Sequence, residues 1–167
     1  MEQIKILFGL NAEKEEQKII DTLKSRVENV NIKSYSTVYL KGIESELTKN
    51  PDIDFLILAE DLERIRVSVS WLDAIKDKYP NLKIIFLSRH SREEKYIQDI
   101  FKIARVDNLL LDEDITIESV IKLILEPRTK SEAKDYISFN NEIDLQISEF
   151  EELIEEEKLF WALNLLK

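Results

Sequence analysis

Phe55–Arg64 reads FLILAEDLER. Four apolar residues run unbroken into Ala59, and two acids follow. A short continuous apolar run bounded by charge predicts a strand covered on both faces, as in a parallel sheet. With Ile53 and Asp54 in front, the strand spans Ile53–Leu58 (IDFLIL). Three neighbours share its character: Ile4–Phe8 (IKILF), Lys83–Leu87 (KIIFL) and Asn108–Leu111 (NLLL). A fifth run, Asn31–Tyr39 (NIKSYSTVY), alternates and is rich in β-branched and aromatic residues, which favour strands.

The intervening segments have helical spacing. Ala12–Glu28 places Ile19, Ile20, Leu23 and Val27 on one stripe. Leu40–Lys49 has Ile43 and Leu47 four apart and stops before Pro51. Arg66–Tyr79 ends at Pro80. SREE at Ser91–Glu94 has the form of a capping box, ahead of Ile97, Ile100, Phe101 and Ala104. Thr116–Leu125 is closed by Pro127. Five strands alternating with five helices predict a three-layer α/β domain over residues 1–127. Its sheet is five-stranded and parallel, in the flavodoxin/CheY-like order 2-1-3-4-5, with ligands at the carboxyl ends of the strands.

Past Pro127 the rhythm changes, and residues 128–167 read as a helical extension. Thr129 and Glu132 suit the start of a short helix. A longer helix, capped by Asn140 or Asn141, runs through Leu166. Its stripe of Ile143, Ile147, Phe150, Ile154 and Trp161 has spacings of 4, 3, 4 and then 7, close to a heptad seam. Packing in cis and pairing in trans fit that stripe equally.

Composition narrows the function. The 167 residues are 44% hydrophobic and 35% charged, enough to fill a core and cover it. The chain has no Cys, so disulfides and thiolate chemistry are excluded. The start lacks a signal-peptide pattern and no run is long enough for a membrane span, so a cytoplasmic protein is expected. A net charge of −10 argues against nucleic-acid binding. The cations Arg89, Arg92, Lys95, Lys102 and Arg105 alternate with acids and read as a solvated face. With Gly9 and Gly42 as its two glycines, the chain can write neither a Walker A loop nor a G-x-G-x-x-G turn. His90 is the single His, so no metal site and no cofactor is expected.

Three stretches carry a family likeness. Asp54–Ala59 (DFLILA) begins with an acid and ends a central strand. Ser88 follows IIFL, and Arg105–Leu111 (RVDNLLL) leads into the last strand. Together with the order of elements, they resemble bacterial response-regulator receiver domains over roughly residues 1–126. The resemblance implies a phosphorylated Asp ending strand three, acids after strand one that hold Mg²⁺, a small hydroxyl residue ending strand four, and a Lys after strand five. Of these, Ser88 alone is present. Strand one runs into Phe8-Gly9-Leu10-Asn11, strand three ends in Ala59, and strand five ends in Leu110-Leu111-Asp112. Ala59, Glu60, Asp61 and Ser88 are thus the positions of a degenerate phospho-site, with Glu60 and Asp61 read as solvated loop acids or helix caps.

The segment Arg105–Ile137 (RVDNLLLDEDITIESVIKLILEPRTKSEAKDYI) also looks like the end of receiver-like domains found N-terminally in ParA/MinD-type pilus-assembly and localisation ATPases, and in relatives on Gram-positive mobile elements. That likeness implies localisation or dimer contacts. The expectation is a pseudo-receiver without turnover, binding protein and forming a homodimer, through Tyr96, Ile97, Ile100 and Phe101 or through Ile147, Phe150, Ile154 and Trp161. Two alternatives stay open: an atypical regulator phosphorylated at Glu60 or Asp61, and an enzyme of flavodoxin-like fold.

Overall fold

The computed structural model describes residues 2–138. Through Leu125, five strands alternate with five helices: β1 (Glu2–Gly9), α1 (Glu13–Arg26), β2 (Val30–Ser36), α2 (Leu40–Lys49), β3 (Phe55–Ala59), α3 (Val69–Lys78), β4 (Lys83–Ser88), α4 (Lys95–Lys102), β5 (Asn108–Leu111) and α5 (Ile117–Leu125). A 3-10 turn, Asp112–Asp114, joins the last two. The sheet is parallel throughout, in the order β2-β1-β3-β4-β5 expected from the sequence.

Alternation along the buried strands divides the core in two. Leu7, Leu56, Leu58, Ile84, Phe86, Leu109 and Leu111 meet Ile43 and Leu47 of α2, Leu72 and Ile75 of α3, and Ile97 and Ile100 of α4. Ile6, Phe8, Phe55, Ile57, Ile85 and Leu110 meet Ile19 and Leu23 of α1 and Val120, Ile121 and Ile124 of α5. Register places Ala59 beside Leu87, and Leu87 beside Leu110, so the strand ends form one rim.

Helix starts follow capping chemistry in part. The Ser68 hydroxyl accepts from Trp71 N at 3.1 Å, so α3 begins at Val69 and not at Arg66. The Thr116 hydroxyl accepts from Ser119 N at 3.0 Å. The SREE box does not form. Glu94 is itself the cap of α4 and makes no side-chain cap bond, while its N–H is held by the Ser91 carbonyl at 3.2 Å in a preceding turn. β2 ends at Ser36, because Thr37–Tyr39 turn into α2.

Residues 130–138 are helical, and here the capping box forms in both directions. Thr129 N donates to Glu132 Oε1 at 3.3 Å, and Glu132 N donates to Thr129 Oγ1 at 3.2 Å. Ala133 and Ile137 are buried, and Ile137 joins the core beneath α4 and β5. β5 is an edge strand, with ladder groups on its outer side to satisfy. Side chains of this segment serve them: the Arg128 guanidinium donates to the Leu109 carbonyl, and the Tyr136 hydroxyl accepts from Leu111 N at 3.1 Å. Tyr136 in turn donates to Asp114 at 2.7 Å. A division at Pro127 therefore falls inside a packed unit.

Tyr96, Ile97 and Ile100 are buried in that unit, and Phe101 is half-buried with Lys130 over its ring at 5.5 Å. The first three cannot act as an exposed interface, because α4 buries them in the core that Ile137 also joins. Ile147, Phe150, Ile154 and Trp161 lie outside the described residues.

Candidate functional site

The carboxyl ends of β1, β3 and β4, with the residues leading into α5, enclose a crevice of about 570 Å³. Leu10, Ile19, Ala59, Leu87, Ile115 and Val120 line it, together with Glu15, Lys18, Asp61 and Arg89. It occupies the switch-point position at which open α/β sheets hold ligands. Ala59 turns its methyl group toward this space.

The next residue points elsewhere. Glu60 N continues the ladder by donating to Leu87 O at 3.0 Å. Strand alternation then sends the Glu60 side chain to the opposite face from Ala59. There it is 8% exposed, against an expected solvated loop acid. Its Oε2 accepts from the Ser88 hydroxyl at 2.8 Å and its Oε1 from Arg89 N at 3.0 Å. His90 N donates to the Ser88 oxygen at 3.1 Å, so Ser88 also serves nearby backbone, as a strand-end residue would. His90 Nε2 lies 3.4 Å from Glu60 Oε2, and Nδ1 contacts Glu94. Three hydrogen bonds thus tie the Glu60 carboxylate and the Ser88 hydroxyl to each other and to the backbone, with the His90 ring beside them. A buried carboxylate is tolerated when its oxygens are satisfied in this way.

Asp61, by contrast, is exposed. Its neighbours form a tight loop closed by Val67 N donating to Glu60 O at 2.8 Å, and Ile65 is 76% exposed at its outer end. Of the four positions, Ala59 and the exposed Asp61 thus line the crevice, while Glu60, which also borders it, bonds to Ser88 on the other face of the strand. Among the described residues, no group of three or more His, Cys, Asp or Glu side chains is placed to hold a metal ion.

Tyr96 closes the Glu60 side. Its hydroxyl donates to Val67 O at 2.5 Å, its ring meets His90 edge-on at 5.5 Å between centroids, and the Arg66 guanidinium sits 4.1 Å from its centroid. Burial, and then the Glu60 charge, push the phenol pKa up, with Arg66 opposing. Tyrosine in an unfolded chain ionises near about pH 10. The folded chain holds the proton to higher pH, so the stabilisation is complete below about pH 10 and is lost as pH rises toward the folded value. Stability of the intact chain should fall above that point, by up to about 1.4 kcal/mol per pH unit for this group. Tyr96→Phe is expected to cost about 1 kcal/mol at neutral pH, for the bond to Val67. It should also flatten the alkaline decline measured by urea melts. Tyr136, whose pKa burial and Asp114 also raise, supplies part of the decline that remains.

Sequence reasoning did not find three residues that shape this region: Tyr96 as a hydrogen-bond donor, and Arg128 and Tyr136 as partners of the β5 edge. The last two had a signal. The Thr129–Glu132 box precedes Ala133 and Ile137, four residues apart, which is the mark of a helix with a face to bury.

No family model matches the chain, and no curated protein matches it. Solved structures do. The isolated receiver domain of RcsB from Salmonella enterica serovar Typhimurium is 15% identical, over 75% of this chain and 90% of that one, with a TM-score of 0.54. A putative pilus assembly-related protein from Burkholderia pseudomallei is 11% identical, over 75% of this chain and 87% of that one, with a TM-score of 0.53. A LuxR family DNA-binding response regulator from Silicibacter pomeroyi is 14% identical, over 75% of this chain and 89% of that one, with a TM-score of 0.50. At these identities the likeness establishes the fold, which is that of receiver domains. Among the described residues, no helix is long and apolar enough to cross a membrane.

Proposed function

We propose that the chain is a pseudo-receiver: a non-catalytic, phosphorylation-independent module that works by contact with protein, including a second copy of itself. One observation carries this reading. At the end of β3, a methyl group faces the crevice, and the carboxylate of the next residue is held on the opposite face of the strand by hydrogen bonds from Ser88 and Arg89 N. A phosphoryl acceptor needs an accessible nucleophilic oxygen, and Glu60, 8% exposed and hydrogen-bonded through both oxygens, offers little. Leu10 and Asn11 stand after β1 and Asp112 after β5, so the acids and the Lys that a receiver places there are missing, and the charged groups at the crevice, Glu15, Lys18, Asp61 and Arg89, come from other positions.

With that chemistry set aside, the surface carries the function. The likeness to a pilus assembly-related protein supports a localisation role of the kind expected for receiver-like domains that accompany ParA/MinD-type ATPases. Residues 128–138 cover the β5 edge in cis, so self-association does not use that edge. Light scattering on the full chain, before and after treatment with acetyl phosphate and Mg²⁺, tests the reading. It predicts a dimer whose mass does not change. A monomer under both conditions, or a mass that responds to the phosphodonor, would contradict it.

A further inference from the structure

At the opposite end of the sheet from the crevice, cations gather in a chain that is acidic overall. A cavity of about 300 Å³ is lined by Lys76, Lys83, Arg105 and Arg128, against one carboxylate, Asp107, and two amides, Asn81 and Asn108. The cluster is assembled from four separate places: the last turn of α3, the first residue of β4, the turn before β5, and the residue after Pro127. We infer that this cavity is a binding site for a compact phosphate-bearing anion, of the size of pyrophosphate.

The donors are fixed in place and only partly used. The Lys76 ammonium gives one hydrogen bond, to Leu82 O at 2.7 Å, and has two N–H groups to spare. Arg128 commits one guanidinium nitrogen to the Asp107 and Leu109 carbonyls, which orients the rest of the fork. Arg105 commits one nitrogen to Asp73 and Asp77 of α3. Lys83 makes no ion pair among the described residues; its ammonium lies 5.6 Å from the Phe55 ring centroid. Asp107, the single acid, is already paired with Lys130 at 2.7 Å.

Asn108 gives the second, independent sign. It is 5% exposed, and its Oδ1 must face Arg128 N, from which it accepts at 2.9 Å. That fixes the amide orientation and leaves the NH₂ group of this cavity-lining side chain as a donor open to the cavity and its solvent. Arg105 adds backbone strain: its φ is 59°, in the left-handed region that a long side chain seldom adopts.

A bland account covers part of this. Helices α3, α4 and α5 all end at the cavity, and cations suit the negative end of a helix. That leaves Lys83, at a strand start, unexplained. The cations also crowd one another. Burial lowers the proton affinity of Lys76; Asp107 opposes this, and Arg105, Lys130 and Lys83 reinforce it. A cleft lined by one sign of charge concentrates counter-ions of the other, even on a protein of opposite net charge. Multiply charged phosphate suits such a site because each oxygen can accept a charge-assisted hydrogen bond.

The test is an ¹H–¹⁵N NMR titration of the full chain at low ionic strength with pyrophosphate, with ADP, and with sodium chloride at matched ionic strength. Saturable shifts centred on Asn81–Ile84 and Arg105–Asn108 are expected with both phosphates and not with chloride. Equal affinity for the two would mean that the phosphates alone are recognised; tighter binding of ADP would mean that the nucleoside adds contacts. Lys83→Glu should weaken pyrophosphate binding by at least tenfold, Lys83→Gln by several-fold, and Lys18→Glu, at the far rim, not at all. Lys83 is exposed, so neither change at that position threatens folding. Shifts that chloride reproduces, shifts without saturation, or an affinity that Lys83→Glu leaves unchanged would overturn the assignment.

Discussion

Ile137→Ala in the full chain is expected to destabilise the domain by about 3 kcal/mol, the middle of the range for emptying a buried Ile site. Ile137 is 2% exposed and packs against the core built by β4, β5 and α4. Little can collapse into the space, because Ile97, Ile100, Leu109 and Leu111 are held by a helix and a strand that pack elsewhere as well. The effect reaches beyond one cavity. The 130–138 helix also brings Tyr136 to the β5 edge, with the Arg92 guanidinium at 4.4 Å and that of Arg128 at 3.7 Å from its ring centroid. Arg92 Nε further donates to the Tyr136 carbonyl at 2.8 Å. Loosening Ile137 therefore exposes the edge strand, and self-association of the variant should rise as its urea midpoint falls. An Ile137→Ala chain with the wild-type midpoint would show that residues 128–138 are not part of the folding unit.

Glu60→Ala is expected to cost about 2–3 kcal/mol, in keeping with hydrogen bonds to a charged group and donors left without an acceptor. The Ser88 hydroxyl is 1% exposed, so water does not readily replace the lost carboxylate. Ser88→Ala alone should cost about 1 kcal/mol, because Arg89 N still satisfies one Glu60 oxygen. The pair should be non-additive: with both removed, the hydroxyl no longer suffers from the missing acceptor. A double-mutant cycle is expected to return a coupling of about 1–2 kcal/mol, within the span seen for contacting polar groups. Glu60→Gln, which keeps one acceptor oxygen of the same reach, should lose less than Glu60→Ala. A Glu60→Ala variant as stable as the wild type would mean that the carboxylate is a solvated loop acid after all.

The fold was legible because unbroken apolar runs admit few arrangements. IKILF, FLIL, KIIFL and NLLL can be covered on both faces only in a parallel sheet with helices above and below, and the connections then leave one sensible order. Helix ends were less legible. Thr129 caps as its box predicts, but Ser68 caps inside the segment expected to be helical from Arg66, and Ser91 does not cap, because the chain makes an extra turn before α4 begins at Lys95. The degenerate site was half visible. That Ala59 ends its strand follows from the sequence; the direction of Glu60 depends on whether the ladder continues one residue further, and that is settled by pairing with Leu87, a contact 27 positions away. The role of residues 128–138 was hidden by Pro127, which marks the end of a helix but says nothing about where the chain goes next. Arg128 and Tyr136 then act on β5 across about twenty residues, beyond the reach of periodicity.

The central claim is that the strand-end crevice carries no phosphoryl chemistry. Intact-mass spectrometry of the full chain after incubation with acetyl phosphate and Mg²⁺ addresses it directly. The account predicts an unmodified mass, for the wild type and equally for Ala59→Asp, since a new carboxylate there would still lack the acids after β1 and the Lys after β5. A single Mg²⁺-dependent phosphoryl addition to the wild type, mapped to Glu60 or Asp61, would contradict it.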